Sequence, residues 1–275
     1  MIVAGIAGIY IHFMNVKYTE IKPSQGLSNY VESYWHIGMA DSPDKASAPN
    51  ICIPKGTVEI IVTLNDGKTE VLSANGWELL DDVIVVGIHS CPVTWRIYGG
   101  TKKFGIRLKP ETFVLLFGMP VATLYQKYAS LKSLTGTRLD WFIEMLRHAP
   151  DTNARIAIVE SFLYKKLAIS KTRDNVLSQA IRKIWKEEGN ITTASLSKSI
   201  FIGERQLQRL FKNTVGISPK LYSRIVRFRS AYEQAQSGKS PGWTDVAYNL
   251  GYTDQAHFVK EFKSFTGCTP TALFN

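Results

Sequence analysis

Between residues 16 and 108 the apolar positions come in short runs of β-branched and aromatic residues, a pattern typical of strands. The runs at 58–64 and 93–98 end in Asn-Asp-Gly and Gly-Gly, and such residues between apolar runs are hairpin signals. Strands repeated at this spacing favour an antiparallel barrel or sandwich. The pattern therefore predicts a small β-barrel in this half of the chain.

After Pro110 the pattern changes to helix. Apolar residues recur every three or four positions in 111–117, 122–131, 139–147 and 155–167. The last of these segments carries an apolar stripe made by Ile156, Val159, Leu163 and Leu167. Such a stripe is either a core face or a contact face for a second copy of the chain, and the pattern leaves both interpretations open.

Near its C-terminus the chain repeats a short phrase. Residues 211–219 read FKNTVGISP and residues 262–270 read FKSFTGCTP, with a spacing of 51 residues. An internal repeat indicates that the same structural unit occurs twice. Each copy ends an amphipathic helix that follows a second short helical segment, so the sequence predicts two helix-turn-helix units. A long helical segment at 220–236 joins them.

The second helix of each unit has an apolar face and an outer face. The inward residues are Leu207, Leu210 and Phe211 in the first unit and Phe258, Phe262 and Phe265 in the second. The outer face of the first unit consists of Arg205, Gln208, Arg209 and Lys212. The outer face of the second consists of Gln255, Ala256, His257, Lys260 and Lys263.

The net charge is basic and unevenly distributed. The formal charge is +10, and residues 175–275 hold 14 Lys and Arg against 7 Asp and Glu, whereas residues 1–174 hold 19 against 16. The basic surplus therefore accompanies the repeat. A basic domain attracts nucleic acid, anionic membrane or acidic protein, and charge alone does not choose among them.

The side-chain types on the two outer faces indicate duplex DNA. Arginine bonds bidentately to guanine, glutamine to adenine and lysine to guanine or phosphate, and the major groove admits one α-helix. A membrane-binding helix would place large apolar residues beside its basic ones, but here the large apolar residues are needed for the helix core.

The N-terminus and the cysteines favour a protein that stays in the cytoplasm. Residues 1–13 are apolar but shorter than the roughly 20 residues that span a bilayer, and they lack the positive segment of a signal peptide. They are either a first strand or a stretch upstream of a native start at Met14. Cys52, Cys91 and Cys268 have no metal-ligand spacing, which is typical of reduced, buried thiols.

Residues 176–274 resemble the tandem helix-turn-helix domain of the AraC/XylS family of bacterial transcription regulators. LSKSIFIGERQLQRLFKNTVGISPKLY resembles the first unit, and DVAYNLGYTDQAHFVKEFKSFTGCTP resembles the second. The resemblance implies that the helix after each corner enters a major groove. By motif position it makes base-edge candidates of Arg205, Gln208, Arg209, Gln255, Ala256, His257 and Lys260. It makes phosphate candidates of Lys212 and Lys263, together with the helix starts.

The first unit departs from the family pattern at its corner. Ser197 stands where a buried alanine is usual, Phe201 where glycine is frequent, and Gly203 where serine or threonine would cap the helix. If the backbone at the corner requires a positive φ, Phe201 is strained.

The first domain more weakly resembles the cupin-like sensory domain of one AraC subgroup, in LSNYVESYW, IPKGTVEIIVTL and GIRLKPETFVLL. This implies ligand sensing or dimerisation. Residues that could line a pocket are Tyr34, Trp35, Trp95, Arg96 and Arg107. The alternative is that the aromatic residues belong to the barrel core and the arginines are exposed.

The predicted organisation is multidomain α and β. A cupin-like β-barrel domain with closing helices occupies 1–167, a linker occupies 168–175, and an all-α tandem helix-turn-helix domain occupies 176–275. The predicted function is a cytoplasmic, sequence-specific DNA-binding transcription regulator that is controlled by a ligand or a partner at its N-terminal domain. No catalytic residue, cofactor or metal is predicted. A small-molecule effector, a homodimer and contact with RNA polymerase stay open.

The alternative function is a cupin-type metal enzyme with an appended DNA-targeting module. Cupin enzymes hold their metal with clustered histidines, but His12, His36, His89 and His148 are scattered singly along the sequence. The regulator is therefore favoured.

Overall fold

The computed structural model describes residues 16–169, 175–236 and 243–274. The choice between Met1 and Met14 and most of the predicted linker at 168–175 lie outside these residues. The strands are β1 Val16–Ile21, β2 Val31–Met39, β3 Asn50–Cys52, β4 Val58–Thr63, β5 Thr69–Ser73, β6 Gly76–Leu79, β7 Val83–Val86, β8 Val93–Ile97, β9 Lys102–Leu108 and β10 Tyr128–Ser130.

The strands form two antiparallel sheets. One has six strands in the order β1-β2-β9-β4-β7-β10, and the other has four in the order β3-β8-β5-β6. The prediction of a mainly β first domain is confirmed, but its strands do not close into one barrel. Residues from both sheets line a common cavity, so the sheets face each other across it.

The six-stranded sheet packs on the main apolar core with one face and lines the cavity with the other, as the residues of β9 show. Phe104 and Ile106 belong to the main apolar core that the helices share. Arg107, of opposite parity on the strand, lines the cavity between the sheets. Gly105 shares that face, and a Cβ there would lie 2.0 Å from an atom of the Trp35 indole, so the close approach requires glycine.

The first domain continues into helices α1 Pro110–Phe117, α2 Leu131–Thr135, α3 Asp140–His148 and α4 Thr152–Ile169. Val159, Leu163 and Leu167 of α4 are buried within the chain's own core. The apolar stripe predicted in this segment is therefore used as a core face.

The C-terminal helices are α5 Val176–Lys186, α6 Thr193–Ser199, α7 Glu204–Thr214, α8 Pro219–Gln236, α9 Trp243–Asn249, α10 Gln255–Thr266 and α11 Pro270–Phe274. Asn175, Thr192 and Asp254 cap α5, α6 and α10, each accepting a hydrogen bond from the N–H three residues later. The predicted pair of helix-turn-helix units is present as α6–α7 and α9–α10, with α8 between them.

The long helix α8 also packs against the first domain. The Tyr222 hydroxyl donates to the carbonyl of Gly56 at 2.9 Å, and Arg229 forms a buried ion pair with Glu32 of β2. The buried apolar residues of the two domains form one continuous cluster. The element that joins the two units thus also contacts the β-rich domain.

Candidate nucleic-acid interface and apolar cavity

The two helix-turn-helix corners share one backbone arrangement. The N–H of Ile202 donates to the carbonyl of Ser197 at 3.1 Å, and the equivalent bond in the second unit joins Tyr252 to Ala247 at 2.9 Å. Ser197 and Ala247 are both buried, so a small side chain is needed at this position in each unit.

Each corner contains one residue whose backbone is in the left-handed conformation, with a positive φ. Gly251 has φ +71°, and the matching residue of the first unit, Phe201, has φ +57°. The expectation that Phe201 carries backbone strain if the corner requires a positive φ is thus met, because a bulky aromatic residue rarely adopts this conformation. The second corner is one residue longer before its helix, since α7 follows Gly203 whereas α10 follows Asp254.

In α7 the side chains divide as predicted, with Leu207 and Phe211 fully buried and Leu210 partly buried. The exposed face carries Arg205, Gln208, Arg209 and Lys212. Lys212 also donates to the carbonyl of Gly216 at 3.3 Å, near the end of the helix.

In α10 the apolar face is made by Phe258, Phe262 and Phe265, all buried. The exposed side chains are those of Gln255, Ala256, His257, Lys260 and Lys263. Gln255 accepts a hydrogen bond from Thr244 of α9 at 3.3 Å, which ties the start of α10 to the preceding helix.

Four exposed cations on the two faces take no part in ion pairs of the described fold. Within the described parts of the chain, Arg205, Arg209, Lys260 and Lys263 form no ion pair with an acidic side chain. Their charge is therefore available to an external anion.

The arginines of α8 have a different role, which the sequence did not reveal. Glu261 of α10 is buried and receives Arg224 at 2.5 Å and Arg227 at 3.2 Å. Arg227 also lies 4.2 Å from the ring centroid of Tyr252 at the second corner. The sequence does contain one indication of this role. Glu261 lies on the same helix face as Phe258, Phe262 and Phe265, and an acidic residue on an apolar face requires a buried partner.

The β-rich domain encloses an apolar cavity of about 130 Å³ between its two sheets. Its apolar walls include Trp35, Ile37 and Ile84 from the six-stranded sheet and Val71 and Trp95 from the four-stranded sheet. A cavity with mainly apolar walls and a few polar groups is typical of a small-molecule site.

One side of the cavity carries a buried ionic cluster. Arg107 donates to Glu20 at 2.7 Å and to Glu59 at 2.8 Å. The indole Nε1 of Trp35 donates to the other oxygen of Glu59 at 3.0 Å. The two carboxylates hold the guanidinium of Arg107 in place.

Other polar groups of the cavity lack partners among the described residues. The hydroxyls of Thr57 and Thr69 and the Nε2 atom of His89 are buried without a hydrogen-bond partner. Lys55 and Lys103 also line the cavity, and burial lowers the pKa of each amine to about 8. Because a buried polar group without a partner is costly, these atoms mark places where a bound molecule would bond.

Only some of the five pocket candidates predicted from the sequence line the cavity. Trp35, Trp95 and Arg107 line the cavity. Tyr34 lies in the main core, with its ring stacked on Phe104 at 6.2 Å. The guanidinium of Arg96 lies 4.2 Å from the ring centroid of Trp77 and pairs with a carboxylate of β5.

In the ranges that the structure describes, no group of three or more His, Cys, Asp or Glu side chains could hold a metal ion. No helix in those same ranges has the length and apolar character that a membrane span requires.

Two protein-family models match the chain. Residues 19–130 match a domain of unknown function (DUF6597), and residues 196–275 match a helix-turn-helix domain. The second match confirms the predicted C-terminal helix-turn-helix domain.

Among curated proteins, the probable transcriptional regulator LumQ of Photobacterium leiognathi is 30% identical over 98 residues. That alignment covers 36% of this chain and 37% of LumQ, so the chain spans little more than a third of the relative it matches.

Among solved structures, ToxT of Vibrio cholerae is 12% identical, with 94% of this chain and 98% of ToxT covered and a TM-score of 0.46. A probable AraC family transcriptional regulator from Rhodopseudomonas palustris is 23% identical over 37% of this chain and 95% of its own, with a TM-score of 0.34.

Proposed function

We propose that this chain, whose C-terminal residues form a helix-turn-helix domain, is a sequence-specific DNA-binding transcription regulator of the AraC type. The observation that carries the proposal is the duplicated helix-turn-helix with an exposed basic face on α7 and another on α10, neither used in ion pairs within the described chain. The cationic faces complement the phosphate backbone of DNA.

The base-reading residues proposed for α7 are Arg205, Gln208 and Arg209, all exposed. In α10 the proposed set is Gln255, Ala256, His257 and Lys260. These side chains offer the donors and acceptors that read base edges in the major groove.

The proposed phosphate contacts are Lys212 and Lys263. The helix starts are less favourable for phosphate than the resemblance implies, because Glu204 opens α7 and the Asp254 carboxylate caps α10. A carboxylate at a helix start opposes an anion there.

We further propose that the β-rich domain senses a small molecule in the cavity between its sheets. The apolar walls would take an apolar body, and the amines of Lys55 and Lys103 with the two threonine hydroxyls would bond an acidic or hydrogen-bonding group. The contacts between α8 and this domain would carry the signal to the DNA-binding units.

A regulator of this kind acts in the cytoplasm, where it meets promoters and RNA polymerase. Contact with RNA polymerase and formation of a homodimer are compatible with the proposal, and neither is required by it. The metal-enzyme alternative gains nothing from the comparisons, since both the matching C-terminal domain and LumQ point to transcriptional regulation.

The proposal is tested by selecting bound duplexes from a random DNA pool with the full chain and measuring affinity for the enriched sequence by fluorescence anisotropy. Affinity should fall steeply with salt. Arg209→Ala and Lys260→Ala should each cost about 1 to 3 kcal/mol where the residue contacts a base.

The matched control is Lys165→Ala, which removes an exposed lysine from α4 in the other domain and should leave affinity unchanged. If the selection enriches no sequence at moderate salt, the proposed function is wrong.

A further inference from the structure

Phe201 destabilises the folded protein. Its φ of +57° lies in the left-handed region, where a bulky L-residue is disfavoured. The side chain is also 94% exposed, so its ring contributes no burial to the core. Backbone strain that the fold does not need is a pointer to function.

The second unit shows how the same corner is built without this cost. Gly251 occupies the matching left-handed position, and a Cβ there would lie 2.5 Å from the side chain of Asn190. A side chain at the second corner would therefore require the amide of Asn190 to move. The first corner opens to solvent instead, so it can present a ring outside the protein.

Phe201 stands in the corner that leads directly into the proposed DNA-reading helix. Phe201 stands two residues before Gly203, the residue that precedes α7, and four before Arg205, the first proposed base reader. Lys198, one helical turn earlier in α6, is exposed as well. An exposed ring near cations is also compatible with an anionic membrane, but this ring stands in the corner of a helix-turn-helix unit. That position favours DNA, which offers thymine methyl groups among its phosphates.

We infer that Phe201 contacts DNA, with its ring packed against a thymine methyl group at the edge of the sequence read by α7. This rests on the proposed function. Phenylalanine against the thymine methyl is one of the apolar contacts by which proteins recognise that base in the major groove. The strained corner would hold the ring in place, and the first unit would gain a preference for thymine that the second unit lacks at its corner.

The test uses the full chain and a duplex selected from random DNA, with each thymine of the duplex replaced in turn by deoxyuridine, which lacks only the methyl group. One replacement should weaken wild-type binding by about fourfold, the effect expected from losing the burial of one methyl group. Phe201→Gly should bind the unmodified duplex about tenfold more weakly than wild type, because the whole ring is lost. It should be insensitive to that one replacement.

A second readout keeps folding apart from binding. Phe201→Gly should raise the midpoint of thermal unfolding, because glycine adopts the left-handed conformation without strain. A weaker affinity in a more stable protein then reports a lost contact and not a damaged fold.

The matched control is Tyr248→Ala, which removes another exposed aromatic residue, 82% exposed on α9. It should respond to each deoxyuridine replacement as wild type does. Equal DNA affinity of Phe201→Gly and wild type would overturn the inference, and so would an equal response of both to every replacement. A selection that enriches no duplex would overturn the proposed function itself, and the contact with it.

Discussion

Lys103 is an unusual residue for the interior of a β-rich domain. Its side chain is 3% exposed and lines the apolar cavity, and no acidic residue of the described ranges forms an ion pair with it. Burial lowers the pKa of its amine from 10.5 to about 8. A buried amine without an ion-pair partner destabilises the protein, so its presence is explained if the cavity has a use for it.

We expect Lys103→Met to stabilise the protein at pH 7 by up to about 3 kcal/mol, the linkage energy of the shift in pKa. Between pH 8 and 10.5 the unfolded chain holds the proton more strongly than the folded chain does. Wild-type stability should therefore rise with pH across that window. The variant should rise less, because only the part that comes from the similarly shifted Lys55 amine remains. Urea unfolding at several pH values measures both effects.

The control is Lys102→Met, because Lys102 is the next residue of the same strand and is exposed. Its replacement should change the free energy of unfolding little and leave the pH profile intact. A Lys103→Met protein that is less stable than wild type at pH 7 would show that the amine has a partner in the folded state.

The pocket candidates show what strand periodicity predicts and what it leaves out. Tyr34 and Trp35 are neighbours on β2, and Trp95 and Arg96 are neighbours on β8, so only one of each pair can face a given cavity. The period of two therefore predicts that half of these candidates point elsewhere. It does not say which face is the cavity, because that depends on where the second sheet lies.

At the scale of elements, the helices of the C-terminal domain were predicted closely because their signals are local. Thr192 caps α6, Gly216 follows the end of α7, and Pro219 opens α8. The division of the strands into two sheets was not predicted, since the pairing of β9 with both β2 and β4 joins residues far apart in sequence. A periodic pattern predicts a strand but not its partner.

The position of α10 depends on one buried acid. Glu261→Ala should destabilise the protein by about 3 to 5 kcal/mol, because it leaves the guanidinium groups of Arg224 and Arg227 without their carboxylate. Binding to a selected duplex should weaken as well, since α10 would lose its fixed place on α8. Chemical unfolding and anisotropy measure the two effects.

The control for this prediction is Glu187→Ala, which breaks the exposed ion pair with Lys183 on α5. Exposed pairs of this kind contribute little to stability. If Glu261→Ala cost no more than Glu187→Ala, the buried cluster would not be what positions α10.

For the whole molecule, the composition of residues 168–175 predicts a linker between two separate domains. Residues 168 and 169 belong to the end of α4, and the apolar core runs without interruption from the β-rich domain into the helical one. A polar stretch of chain indicates where a connection runs, but it carries no information on whether the domains pack together. That packing depends on residues such as Tyr222 and Arg229, which the sequence places only on a helix.

Arg229 is a side chain of α8 that contacts both domains. Its buried ion pair with Glu32 joins α8 to β2, and its guanidinium lies 4.5 Å from the ring centroid of Trp185 on α5. Burial alone would raise the pKa of Glu32, but the charges of Arg229 and Arg107 lower it well below its ordinary value. The carboxylate therefore stays charged at neutral pH and requires its partner.

We expect Arg229→Ala to cost about 3 to 5 kcal/mol, because Glu32 would remain buried without its main counter-charge. Lys22→Ala is the matched control, since Lys22 pairs with the same carboxylate at 3.1 Å through a side chain that is 70% exposed, and an exposed partner contributes at most about 1 kcal/mol. If Arg229 couples the domains, its removal should also split a single urea-unfolding transition into two, followed by circular dichroism for the helices and tryptophan fluorescence for the sheets. One cooperative transition in Arg229→Ala, with a midpoint equal to that of Lys22→Ala, would mean that the continuous apolar core alone holds the two domains together.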